Sequence, residues 1–169
     1  MKKLIITAAL ILFAGVAFGQ GKFTVPELSF EQKHNRTNSQ IPVFLAAGIN
    51  FAKSQDVTPY EYGKELGKLF APTWDKEAGF DGFVNGMIYI SESSRTNDEG
   101  PIMVKENDNG SVTIISPPGV MSKYGDTYAT SEERYECMKG LLEQIADYMG
   151  CTFTREYTEQ SFKTTIKKK

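Results

Sequence analysis

Residues 130–169 read TSEERYECMKGLLEQIADYMGCTFTREYTEQSFKTTIKKK, and the change of period within them decides the fold. Thr130 and Glu133 have the spacing of a capping box, in which the threonine hydroxyl accepts from a backbone N–H three residues on and the glutamate returns to the cap. Tyr135, Met138, Leu141, Leu142, Ile145, Ala146 and Met149 then recur on one face of a 3.6-residue helix. Gly150 stands where a left-handed C-terminal cap belongs. Beyond it, 152–157 and 161–167 read as two strands joined by a short turn.

Working back toward the N-terminus, 102–106 and 111–116 form a second pair of strands around Asn107-Asp108-Asn109-Gly110. Asn-Gly tolerates the positive φ that tight hairpin turns demand. Pro117-Pro118-Gly119 closes this hairpin, and an irregular connection leads to Thr130. Three helices are expected before it. The first spans 41–53 and is apolar on most sides. The second opens at Thr58-Pro59-Tyr60-Glu61, a capping box with proline at the first helical position, and ends at Ala71-Pro72. The third spans 75–91, with Phe80, Phe83, Val84, Met87 and Ile88 on its apolar face. Gly63 and Gly67 line one side of the second helix, and Gly79, Gly82 and Gly86 one side of the third. Each glycine costs a helix about 1 kcal/mol relative to alanine. The expected compensation is close helix approach, with the two glycine lines facing one another. The fold class is α+β: a four-stranded antiparallel sheet of two hairpins packed against a layer of about four helices.

At the other end, Met1-Lys2-Lys3 followed by an uncharged apolar run to Phe18 reads as a secretory signal peptide. Ala17 and Gly19 supply the small residues a signal peptidase needs at −3 and −1 of a cut before Gln20. The run is shorter than the roughly 20 apolar residues of a membrane span. The expected organisation is a signal peptide at 1–19, a flexible polar arm at 20–39 and one domain at 40–169, exported to a periplasm or secreted. No cysteine lies near the cut to accept a lipid, and no later segment approaches spanning length. Removal of Lys2 and Lys3 lowers the 19 basic residues to 17 against 21 acidic, a net charge of −4. That balance, with scattered lysines and a solvated Lys167-Lys168-Lys169 tail, argues against a nucleic-acid partner.

Cys137 and Cys151 are the only cysteines. A helix between them separates the pair by roughly 20 Å along its axis, whereas a disulfide needs Cα atoms about 4.4–6.8 Å apart. Two buried thiols are therefore expected, with Cys137 on the flank of the last helix beside Leu141 and Tyr148. The chemical alternative is a nucleophile at Cys137. Its base is not evident, because the one histidine, His34, lies in a distant polar stretch. No pair of His or Cys has metal-ligand spacing, and no cofactor motif occurs.

On Tyr135, Cys137, Leu141, Gly150, Phe153 and the Ser161-Phe162…Ile166 strand, residues 132–168 resemble the helix–hairpin of vinyl-4-reductase-like and haem-NO-binding-like domains. They also look like the related L-2-amino-thiazoline-4-carboxylic acid hydrolase family. Members of the vinyl-4-reductase-like group often carry a cysteine in the last strand, where this chain has Ser161. The resemblance implies a small-molecule pocket between helices and sheet.

Three functions follow as expectations. The first is a non-catalytic module for a small apolar or aromatic ligand, with Trp74, Phe80, Tyr124, Tyr128 and Tyr135 as binding residues, since tyrosine combines an apolar body with a polar handle. The second is a hydrolase of a small heterocyclic or amide substrate using Cys137, with Asp126, Glu132 and Glu133 as acid–base groups. The third is an envelope protein–protein interaction domain that makes contact through the N-terminal arm.

Overall fold

A computed structural model describes residues 29–95, 100–117, 128–158 and 161–169, apart from the side chains of Phe30 and residues 33–39. The expected signal peptide, Tyr124, Asp126 and the side chain of His34 lie outside the described residues. The chain divides into two compact units, Met1–Asn35 and Arg36–Lys169. The first is described only from Ser29, where a helix begins.

In the second unit, two hairpins are zipped together by their later strands. Strands β1 (Met103–Glu106), β2 (Val112–Ser116), β3 (Cys151–Thr158) and β4 (Ser161–Lys168) lie in the order β1-β2-β4-β3, antiparallel throughout. The first hairpin turns at Asn107–Gly110. The Gly110 N–H donates to Asn107 O at 2.9 Å and Gly110 takes φ +75°, so glycine alone supplies the left-handed residue. Alternation puts Val112, Ile114 and Ser116 of β2 on the covered face, with Cys151 and Phe153 of β3 and Thr164 and Ile166 of β4.

The register stacks these inward residues in rows. Val112, Ile166 and Phe153 form an apolar row; Ile114, Thr164 and Arg155 form the next; Ser116, Phe162 and Tyr157 form the last. The apolar end carries the main core, under α3 (Gly79–Ser94) and α4 (Ser131–Tyr148). Phe83, with no exposed surface, lies between Trp74 and Phe153 at centroid distances of 5.6 and 6.2 Å, the second pair edge-on. Tilted and edge-on ring pairs of this kind add to the area buried.

The α+β class and four-stranded antiparallel sheet are as expected. Both capping boxes are present, at Thr58/Glu61 of α2 (Pro59–Phe70) and at Thr130/Glu133 of α4. Three helix expectations need correction. Helix α1 (Phe30–Ser54) starts well before residue 41, so residues 30–39 are helical. Its start is a further capping box: Gln32 N–H donates to Ser29 Oγ at 3.1 Å, and Ser29 N–H to Gln32 Oε1 at 2.9 Å. The third helix starts at Gly79 instead of 75, because Gly79 takes φ +52° and ends a separate 3-10 turn at Lys76–Ala78.

The glycine lines do not face each other. A Cβ on Gly63 would run into Cys137 backbone, one on Gly67 into the Leu141 carbonyl, and one on Gly140 into the backbone of Tyr60 and Lys64. The close contact is therefore α2 on α4, with Gly140 as the reciprocal small residue. On α3, Gly82 faces Ala78 and Gly86 lies under the Trp74 ring. Helix α4 is thus buried on two sides, by the sheet through Leu142, Ile145, Ala146 and Met149, and by α2 through Gly140 and Cys137. Tyr60 Oη donates to Glu143 Oε2 at 2.6 Å across the same contact. Lys53 pairs with Glu133 and ties α1 to the first turn of α4.

Candidate functional site

Past the apolar rows, the helices and the sheet part to leave a cavity of about 270 Å³. Ile41, Pro42 and Leu45 of α1 form one wall, and Tyr89, Ile90, Ser93 and Ser94 near the end of α3 another. The first two turns of α4 supply Ser131, Arg134, Tyr135 and Met138. The end of the sheet supplies Ser116, Pro117, Arg155, Tyr157 and Phe162. A cavity of this size suits a small organic molecule. The surface is mainly carbon. Ser93 and Ser94 turn their hydroxyls back onto their own helix, at 2.8 Å to Tyr89 O and 2.9 Å to Ile90 O.

Three rings make the floor. Tyr135 lies nearly parallel to Phe162 at 6.2 Å and 9°, and stacks on Tyr157 at 5.7 Å; Tyr157 and Phe162 are 5.0 Å apart. The Tyr135 hydroxyl donates to the Arg155 carbonyl oxygen, which fixes the first turns of α4 to β3. Burial raises the Tyr135 pKa above its ordinary value, with Glu136 adding to the effect, so the phenol is neutral across the physiological range.

Two guanidiniums reach the cavity in different ways. Arg134 is buried and fastened to its own segment, donating from Nη1 to Ala129 O at 2.5 Å and from Nη2 to Ser131 Oγ at 3.0 Å. Arg155 lies over the Phe162 ring, Cζ 4.2 Å from the centroid, with Nε buried and without a hydrogen-bond partner among the described residues. Burial lowers its pKa to about 10, which still leaves it charged at neutral pH. None of the described lining residues is acidic.

Of the four expected binding residues that are described, Tyr135 alone lines this cavity. Trp74 and Phe80 pack against the main core, and Trp74 covers Gly86. Tyr128 is 53 % exposed. Tyr157, Phe162 and Arg155 were not among the expected residues. Their signal is the inward alternation Cys151-x-Phe153-x-Arg155-x-Tyr157, which places a cation on a core-facing row.

Cys137 is elsewhere. Its thiol has no exposed surface and sits in a small second core with Ala46, Ile49 and Ala129. The expected neighbour Tyr148 packs instead against the main core. Burial pushes the Cys137 pKa up to about 12, away from the thiolate a nucleophile requires. Cys151 is also buried and free, its pKa raised by burial against an opposing effect of Lys169 and Lys168. Glu133 is engaged in its capping box and with Lys53. Among the described residues, no three His, Cys, Asp or Glu side chains gather as a metal site, and no helix is long and apolar enough to cross a membrane.

No family model, curated protein or solved structure matches the chain.

Proposed function

We propose that this chain is an exported, non-catalytic module that binds a small, largely aromatic or apolar molecule in the cavity above Tyr135, Tyr157 and Phe162. The supporting observation is the cavity itself: about 270 Å³, floored by three stacked rings and lined mainly by carbon. Sites of this make-up draw affinity from apolar contact and orientation from a few polar groups. The cavity contains neither Cys137 nor a carboxylate among its described lining, which favours binding over the hydrolase suggested by the family resemblance.

The test uses the mature protein, whose N-terminus should read from Gln20 after export, with the neutral fluorophore N-phenyl-1-naphthylamine as probe. Saturable fluorescence enhancement is expected, together with at least about a tenfold loss of affinity in Leu45→Trp, because filling the cavity removes the ring's contact surface. Absence of saturable binding, or full affinity in the filled variant, overturns the reading.

A further inference from the structure

The cavity holds a cation that nothing in the described protein neutralises. Arg155 belongs to the inward row of β3, between the core residue Phe153 and the cavity residue Tyr157. Among the described residues its enclosed Nε has no hydrogen-bond partner and its guanidinium no ion-pair partner. Contact with the Phe162 face offsets part of the desolvation cost, since a ring quadrupole attracts a cation. It supplies no acceptor for an N–H. Arg155 as a whole is partly buried, and it is the enclosed Nε that lacks the hydrogen bond a buried polar group ordinarily makes. Here the missing partner would lie in the cavity, on the side where the described lining contains no acid to compete.

We propose that the ligand is an aromatic monocarboxylate, its ring system lying against Tyr135, Tyr157 and Phe162 and its carboxylate paired with Arg155. This deepens the binding reading above and rests on it. A planar carboxylate matches the fork of a guanidinium and can accept two N–H bonds. Arg134 also lines the site, but its Nη1 and Nη2 donate to Ala129 O and Ser131 Oγ, so it is Arg155 that offers a carboxylate its fork. A phosphate dianion would cost more to desolvate than a carboxylate in this carbon-lined site.

The experiment is calorimetric titration of the mature protein with 2-naphthoate, its neutral isostere 2-naphthamide and 2-naphthyl phosphate. A charge-assisted hydrogen bond exceeds a neutral one enough to favour naphthoate over naphthamide by about tenfold. The phosphate is expected to bind more weakly than the carboxylate. Arg155→Gln should erase the carboxylate preference while leaving naphthamide affinity within about twofold, and Arg155→Lys should keep part of it as a point charge without the fork. If naphthamide binds as well as naphthoate, or the phosphate binds more tightly, the carboxylate assignment is overturned while the binding reading stands. If neither naphthalene binds and the neutral fluorophore also fails, both fall. An Arg155→Gln protein that is folded by circular dichroism yet keeps the preference removes Arg155 from the site. Should that variant not fold, the wild-type comparison of the three ligands decides the matter.

Discussion

Substituting Gly140 by alanine sets two effects against each other. In an isolated helix the change stabilises by about 1 kcal/mol, because glycine loses more backbone entropy on ordering. In this fold the new Cβ would strike Tyr60 O and lie 3.0 Å from Lys64 N and 3.3 Å from Gly63 C, all of them backbone atoms of α2. No side-chain rotation can clear such a contact, so α2 and α4 must separate. Separation by 0.5–1 Å forfeits roughly a quarter to a half of each dispersion contact across the interface. Overpacking of this kind costs about 1–3 kcal/mol, occasionally more. Subtracting the propensity gain leaves a net loss of up to about 2 kcal/mol. Gly48→Ala is the matched control: its Cβ would meet the outer end of the Tyr62 ring, a side chain that can shift, and no backbone atom. There the propensity term should prevail, giving a neutral to slightly stabilised protein. Urea unfolding followed by far-ultraviolet circular dichroism measures both, with the midpoint carrying the result if the slope is unchanged. Gly140→Ala as stable as Gly48→Ala, or more stable than the wild type, would refute backbone contact between α2 and α4.

Thr130→Ala removes an oxygen that accepts from Glu133 N–H at 3.1 Å and should cost about 1 kcal/mol in the same assay. Bonds from Lys53 and from Thr130 N–H hold Glu133 below the usual carboxylate range. Its contribution is therefore complete above the ordinary glutamate pKa of about 4.3 and is lost as pH falls through the lower folded value. In Glu133→Gln the acid-side slope of stability against pH should be shallower; an unchanged slope would show that the Lys53 pair contributes nothing. Both thiols are buried with raised pKa values, so neither should react with a disulfide reagent in the native protein at pH 8, and both should react in urea. Rapid native labelling of Cys137 would reopen the nucleophile reading.

The elements legible in the sequence are those whose signals are local. Thr58-x-x-Glu61 and Thr130-x-x-Glu133 fix helix starts within four residues, and Asn109-Gly110 fixes a turn within two. Ser29-x-x-Gln32 is a signal of the same kind, hidden in a polar stretch without apolar periodicity. Partnership between elements is not local. Spacing places Gly63 and Gly67 on one side of α2, but the choice between α3 and α4 as their partner depends on the path of the chain. The deciding residue, Gly140, is solitary on its own helix and forms no line.

The cavity illustrates the same limit and also marks where a stronger reading was available. Local aromatic density favours Trp74 and Phe80, but Trp74 packs over Gly86 and beside Phe83, and Phe80 packs against the same core. The floor is assembled from Tyr135, Tyr157 and Phe162, and only the β3–β4 register brings the last two side by side. Charge on an inward row is a different kind of signal, because it contradicts its own neighbourhood. A strand reading Cys151-x-Phe153-x-Arg155-x-Tyr157 commits its alternate positions to the covered face, and a guanidinium there must find a partner, reach water or remain unsatisfied. Arg155 lies in the row after the apolar one and lines the described cavity that combines this cation with stacked rings. The feature that fits the core least is therefore the one on which the proposed carboxylate binding rests.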